Sequence, residues 1–108
     1  MSNNQFDEAE VSQREGVIFM TGVVTFETVA MLQKKIILLM QRDASLSLYQ
    51  INLMDVKKVN SAALGLLVEL KKYTIAHNKA VVFLNLPERL LSLAQVCGVA
   101  AWLELSCS

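Results

Sequence analysis

Ile51-Asn52-Leu53-Met54-Asp55-Val56-Lys57-Lys58-Val59-Asn60-Ser61-Ala62-Ala63-Leu64-Gly65-Leu66-Leu67 changes its periodicity half-way along. The run from Leu48 to Leu53 alternates apolar and polar side chains, as a half-buried strand does. From Ser61 to His77 apolar residues crowd nearly every side of a helical wheel, with Glu69, Lys71 and Lys72 as the clear exceptions. The first two turns of that helix must therefore be covered. Between the two, the polar segment Asp55 to Asn60 reads as a connection that ends in a short loop, Lys57 to Asn60. A strand feeding a helix through a short loop is the building unit of α/β sheets. In open sheets of this kind, ligands and partners bind beyond the carboxyl ends of the strands.

Reading outward, the same alternation of elements continues. Gly16-Val17-Ile18-Phe19-Met20-Thr21-Gly22 is a β-branched and aromatic run between glycines and reads as a buried strand. Phe26 to Arg42 is helical, with Val29, Leu32, Ile36, Leu39 and Met40 on one stripe. Thr25 suits its N-cap and Arg42 its C-terminal dipole end. Asn78-Lys79 makes a turn into Ala80-Val81-Val82-Phe83-Leu84, which reads as a central parallel strand. Pro87 at the first helical position opens a third helix that Gly98 closes, and Ala101 to Leu105 reads as a final edge strand. The expected organisation is a polar N-terminal segment, residues 1–15, followed by one domain over residues 16–108. The expected fold is an α/β domain with a mixed, mostly parallel sheet of four to five strands, covered by three to four helices.

Composition narrows the function. The chain has 108 residues, 54% hydrophobic and 19% charged, which suits one folded domain and excludes disorder. Ten basic and ten acidic residues balance, so the footprint of a nucleic-acid binder is missing. Charge is uneven: Asp7, Glu8, Glu10 and Glu15 outweigh Arg14 at the start, while the remainder carries a basic excess. No apolar run approaches the ~18 residues of a membrane span, and the polar start lacks the features of a signal peptide. A cytoplasmic location without direct membrane insertion is the expectation. Cys97, Cys107 and His77 form neither a disulfide framework nor a metal-ligand spacing. Cys97 reads as a small packing residue, and His77 as part of a solvated turn. The four glycines are scattered, so no phosphate loop exists. No catalytic residue, metal or cofactor is assigned, and no base of suitable type pairs with Ser61, so an enzyme is not expected.

Asn60 and Ser61 stand where the second helix starts, and either side chain can accept from its free N–H groups. The same N–H groups and the positive dipole end favour a phosphate on Ser61. Asn-Ser before an apolar helix is equally an ordinary cap, and Ala62, Ala63 and Gly65 are small enough to serve only close helix–sheet packing.

The stretch from Ile51 to Leu67 resembles the signature of STAS domains, the family of bacterial anti-sigma factor antagonists. Their pattern is a strand, an Asp followed by Ser or Thr, then small residues and Leu opening a helix. The resemblance extends over about residues 16–105. It implies that Ser61 is the regulatory, phosphorylatable position. Asn60 replaces the family's Asp, keeping the capping ability without the charge, and Ala63 replaces a frequent Gly. Leu64-Gly65-Leu66-Leu67-Val68-Glu69-Leu70 and Leu90-Leu91-Ser92-Leu93-Ala94-Gln95-Val96-Cys97-Gly98-Val99 further resemble the small STAS subunit of Mla-type phospholipid ABC transporters. That resemblance implies a non-enzymatic subunit that stabilises or activates a cytoplasmic ABC transporter ATPase, reaching the inner membrane only through this partner. Ser61 would lie inside the contact, with Asn60 beside it. Ala62, Ala63 and Leu64 would form its apolar centre, and Lys57 and Lys58 its rim. The alternative is an anti-sigma factor antagonist whose partners are an anti-sigma factor and a serine kinase acting on Ser61. A lipid or small-ligand binder using the apolar surface around the second helix is a third reading.

Overall fold

The structure, a computed structural model, describes residues 9–105. Seven elements follow one another: β1 (Glu10–Arg14), β2 (Val17–Val24), α1 (Val29–Arg42), β3 (Leu48–Val59), α2 (Ser61–Ala76), β4 (Ala80–Leu84) and α3 (Glu88–Val96). The sheet order is β1-β2-β3-β4. β1 and β2 are antiparallel; β2, β3 and β4 are parallel. The mostly parallel four-stranded sheet with three helices is the α/β architecture expected from the sequence. Glu10–Arg14, within the polar segment 1–15, forms a strand of the sheet. Its two-residue connection to β2, Glu15 and Gly16, has positive φ at both positions (51° and 84°), as a tight hairpin requires.

The alternation in β2 turns Ile18, Met20, Gly22 and Val24 to the inner face. Tyr49, Ile51 and Leu53 of β3 and Val81 and Phe83 of β4 join them. The helices form the second layer, with α2 touching both α1 and α3. Leu32, Ile36 and Met40 come from α1, Leu66, Leu67 and Leu70 from α2, and Leu90 and Ala94 from α3; together with the inner sheet face they close one core.

Several elements depart from the sequence expectation. The connection expected at Asp55 to Asn60 is strand as far as Val59. Two bulges explain why its pattern misleads. Phe19 pairs with Asn52 but Thr21 with Asp55, and Gly22 pairs with Val56 but Val23 with Lys58. Each adds one residue to β3 and shifts the inward phase, so Val56 and Val59 follow Leu53 on the inner face. Gly22, buried at the second bulge, has φ +88°, a conformation that glycine adopts without penalty. β4 lies at the sheet edge rather than centrally, with Ala80 and Val82 exposed.

Helix α1 starts at Val29, so its cap is Thr28 rather than Thr25. The Thr28 hydroxyl accepts from the Thr25 N–H and donates to the Val23 carbonyl, which closes a turn before the helix and leaves Phe26 outside it. Pro87 is the N-cap of α3, one position before the expected one. Ala101 to Leu105 is not a strand. Glu104 has φ +60°, and Leu103 N–H returns to the Val99 carbonyl, so the segment coils to bury Leu103. Cys97 is exposed, not packed, because it stands at the C-cap of α3. His77 sits in an exposed turn, stacked on Tyr73 with Nδ1 2.8 Å from the Tyr73 carbonyl oxygen. Cys107 and the start of the acidic head lie outside the described residues.

The end of the sheet away from the α2 N-terminus is fastened by polar contacts. Buried Tyr49 donates its O–H to the carbonyls of Met40 (2.9 Å) and Asp43 (3.2 Å) at the end of α1. Gln13 of β1 donates to the Asp43 carboxylate and accepts from Arg42. Lys79 donates to the carbonyls of Ala44 and Leu46. Burial, then the neighbouring Tyr73 and Asp43, raise the Tyr49 phenol above its ordinary 10.0. Tyr49→Phe leaves the two carbonyls without this donor and should lower the unfolding free energy by about 1–2 kcal/mol in urea denaturation. The sign of the pH effect follows from the raised phenol. Its stabilisation is full below about pH 10 and is lost as pH rises through the folded value, and Tyr49→Phe should remove that slope.

Candidate functional site

Parallel pairing brings the ends of β2 and β3 together, with Val24 opposite Val59. The next N–H, that of Asn60, reaches the Val24 carbonyl at 3.4 Å. Asn60 is in extended conformation, and its Oδ1 accepts from the Ala62 N–H at 2.9 Å. Its main-chain carbonyl accepts from Ala63 N–H at 2.9 Å. The side-chain acceptor is thus used in capping α2. No acidic residue lies in the first turn of α2, so the positive end of its dipole is not neutralised there by a carboxylate of the same turn.

Ser61, the first helical residue, is exposed, and its hydroxyl makes no hydrogen bond among the described residues. Ala62, Ala63 and Leu64 point the other way. They are 9%, 2% and 7% exposed, so the apolar centre expected of them for a partner belongs to this chain's own interior. Gly65, one turn after Ser61, is exposed, and a Cβ there would meet nothing within 4 Å. Its smallness therefore serves no internal packing; it keeps the surface beside Ser61 flat. Lys57 and Lys58 are both exposed although consecutive, because the bulge at this point breaks the alternation. They stand on β3 rather than in a loop and do not line the cleft beside Ser61.

That cleft, about 390 Å³, runs between the start of α2 and one face of α3. Val59, Asn60 and Ser61 form one side; Arg89, Ser92, Leu93 and Val96 form the other. Val96 is 85% exposed, although it is a large apolar residue. On the β2 side, Phe26 follows the end of its strand by the same two residues as Ser61 follows β3, and it is 72% exposed. Sequence reasoning singled out neither Phe26 nor the α3 face. The spacing Arg89, Ser92, Leu93, Val96 marks one helical face in the sequence, but only burial shows that Leu90 and Ala94 take the core side and leave it open. Among the described residues no group of three His, Cys, Asp or Glu side chains could hold a metal ion. No helix among them is long and apolar enough to cross a membrane.

The architecture that presents this Asn-capped serine at the start of α2 is shared with known proteins. The family model described as "Mlab, STAS domain" matches residues 9–105. The chain belongs to the STAS domain family. Comparison with curated proteins gives no significant match. Among solved structures, this STAS domain is similar to the anti-sigma factor antagonist SpoIIAA in its unphosphorylated form, with TM-score 0.67 and 15% identity over 88% of this chain and 84% of that one. It is also similar to the Bacillus cell fate determinant SpoIIAA in the phosphorylated form, with TM-score 0.63 and 14% identity over 88% and 87%. At such identities the shared property is the fold.

Substitutions at two positions separate capping from surface in this STAS domain. Asn60→Ala should lower stability by about 1 kcal/mol, whereas Asn60→Asp should keep the cap. Gly65→Ala should raise stability by about 0.5–1 kcal/mol, since a helix interior gains from Ala and the new methyl meets no neighbour. Thermal and urea unfolding of the purified variants measure both.

Proposed function

We propose that this STAS domain is a non-enzymatic accessory subunit that docks on the cytoplasmic ATPase of a phospholipid ABC transporter and is held at the inner membrane by that partner. The observation that carries the reading is the exposed, unbonded Ser61 hydroxyl beside flat Gly65 and an open apolar cleft. It suits contact with another protein surface better than chemistry, because no His, Asp or Glu hydrogen-bonds to Ser61 among the described residues. The wording of the matching family model, "Mlab, STAS domain", and the leucine-rich stretches of α2 and α3 support the transporter partner. Docking would shift the ATPase between states only by its differential affinity for them. The contact surface in this reading is Asn60, Ser61 and Gly65 with the α3 face and Phe26, and Lys57 and Lys58 form an outer rim.

A second reading rests on the fold of SpoIIAA, which is described in unphosphorylated and phosphorylated forms. In it the domain is an anti-sigma factor antagonist, and a serine kinase phosphorylates Ser61 at the positive end of α2.

Binding of the purified ATPase to Ser61 variants, read by calorimetry, tests the first reading. Ser61→Ala removes at most one hydrogen bond, about 0.5–1.5 kcal/mol, or up to roughly tenfold in affinity. Ser61→Glu and Gly65→Leu should weaken docking more, by charge and by bulk. Equal affinity for all three variants would remove Ser61 from the contact. Stoichiometric phosphate on Ser61 from a co-expressed serine kinase, with no ATPase bound, would replace the first reading by the second.

A further inference from the structure

We infer that the cleft beside Ser61 receives a helix of the partner protein that carries an apolar stripe and one acidic side chain, and that Arg89 selects the acid. The inference deepens the docking reading above and rests on it. Helix α3 has two faces: Leu90 and Ala94 are fully buried, while Arg89, Leu93 and Val96 line the cleft. Positions i, i+4 and i+7 lie along one side of a helix, so these three form a continuous stripe. Val96 is the most exposed large hydrophobic residue among those described, and a free monomer gains nothing from that exposure.

Charge identifies the occupant. Arg89 is the one charged residue lining the cleft, and it makes no ion pair among the described residues. Neighbouring Glu88 does not line the cleft. Opposite Arg89 stands the N-terminus of α2, with no carboxylate in its first turn. Two positive features thus face one apolar cleft, and a carboxylate placed between them would gain from both.

Geometry favours a helix over an added strand. β4 pairs with β3 only from Leu48 to Asn52, so β4 leaves the β3 edge from Leu53 to Val59 unpaired. That stretch carries both bulges and exposed Lys57 and Lys58, features that obstruct strand addition. A volume of about 390 Å³ is at the small end for a ligand cleft and suits a few side chains rather than the acyl chains of a lipid.

The test uses the full chain with Arg89→Glu, Arg89→Lys and Val96→Asp, all exposed positions, each checked for an unchanged circular dichroism spectrum. Against the purified transporter ATPase, Arg89→Glu and Val96→Asp should each lower affinity at least tenfold and Arg89→Lys less. Hydrogen exchange of the complex should show protection at 59–61 and 89–96. Wild-type binding that neither variant weakens, or protection confined to 53–58, overturns the inference. If the wild type binds no ATPase, the transporter reading fails, and a synthetic probe decides the cleft separately. An 18-residue amphipathic Leu/Ala helix with one Glu should shift the amide resonances of Ser61, Leu93 and Val96, its Lys counterpart should do so at least tenfold more weakly, and Arg89→Glu should reverse that order. Absence of these shifts at the solubility limit, or shifts produced only by phosphatidylglycerol vesicles, overturns the inference.

Discussion

The pairing of β2 with β3 is the constraint on which the rest of this STAS domain depends. β2 is hydrogen-bonded along its length to β3, and the pair ends with Val24 opposite Val59. One further bond, Asn60 N–H to the Val24 carbonyl, fixes the point where extended chain becomes helix. From there Ala62, Ala63 and Leu64 are directed inward and Ser61 outward, because a helix started at a fixed place and angle leaves no freedom in which residue faces which way. The two bulges matter for the same reason. Each moves the register of β3 by one residue, and without them the inward phase set by Ile51 and Leu53 would fall on Asp55 and Lys57 instead of Val56.

Asn60 illustrates how a neutral residue can satisfy the geometric demand of this position without its electrostatic one. The helix N-terminus needs an acceptor, and Oδ1 supplies it at 2.9 Å. A carboxylate there would also have offset the positive end of the dipole. With an amide in its place the first turn of α2 contains no negative side chain, and Arg89 across the cleft adds a full positive charge. The outer surface around Ser61 is consequently biased towards anions by backbone and side chain alike, while the capping bond is unaffected.

The sequence made most of this fold legible because its inner positions are strongly periodic. Ile18 and Met20 on β2, Leu32, Ile36 and Met40 on α1 and the crowded face of α2 could be read directly, and each is buried, whereas Val24 lies beyond the strand expected to end at Gly22. The failures have local causes. Bulges disguised the second half of β3 as a loop, since a period of two interrupted twice is no longer a period. The Thr28 hydroxyl closes a turn that delays α1 past the equally plausible Thr25. The apolar run Ala101-Trp102-Leu103 suits a strand, but Glu104 at positive φ coils the segment instead. At the site, Asn60 and Ser61 were visible as a cap. Phe26, Arg89 and Val96 were not, because exposure depends on which face of a neighbouring element the core has already claimed.

Burial and exposure are distributed around the start of α2 in a way that stability alone does not account for. Three of its first four residues are interior, so that turn is held rigidly against the sheet. The outward positions are a serine with an unengaged hydroxyl and a glycine with open space where its side chain would be. Glycine in a helix interior is unfavourable relative to alanine. Since no neighbour here requires its absence of side chain, that cost buys nothing inside the monomer. The same holds for Val96, which lines the cleft, and for Phe26 past the end of β2, whose apolar side chains are exposed. A rigid backbone, a flat polar centre and apolar flanks are the features on which the docking reading proposed above rests, in which the scaffold stays fixed and the surface residues answer to the partner.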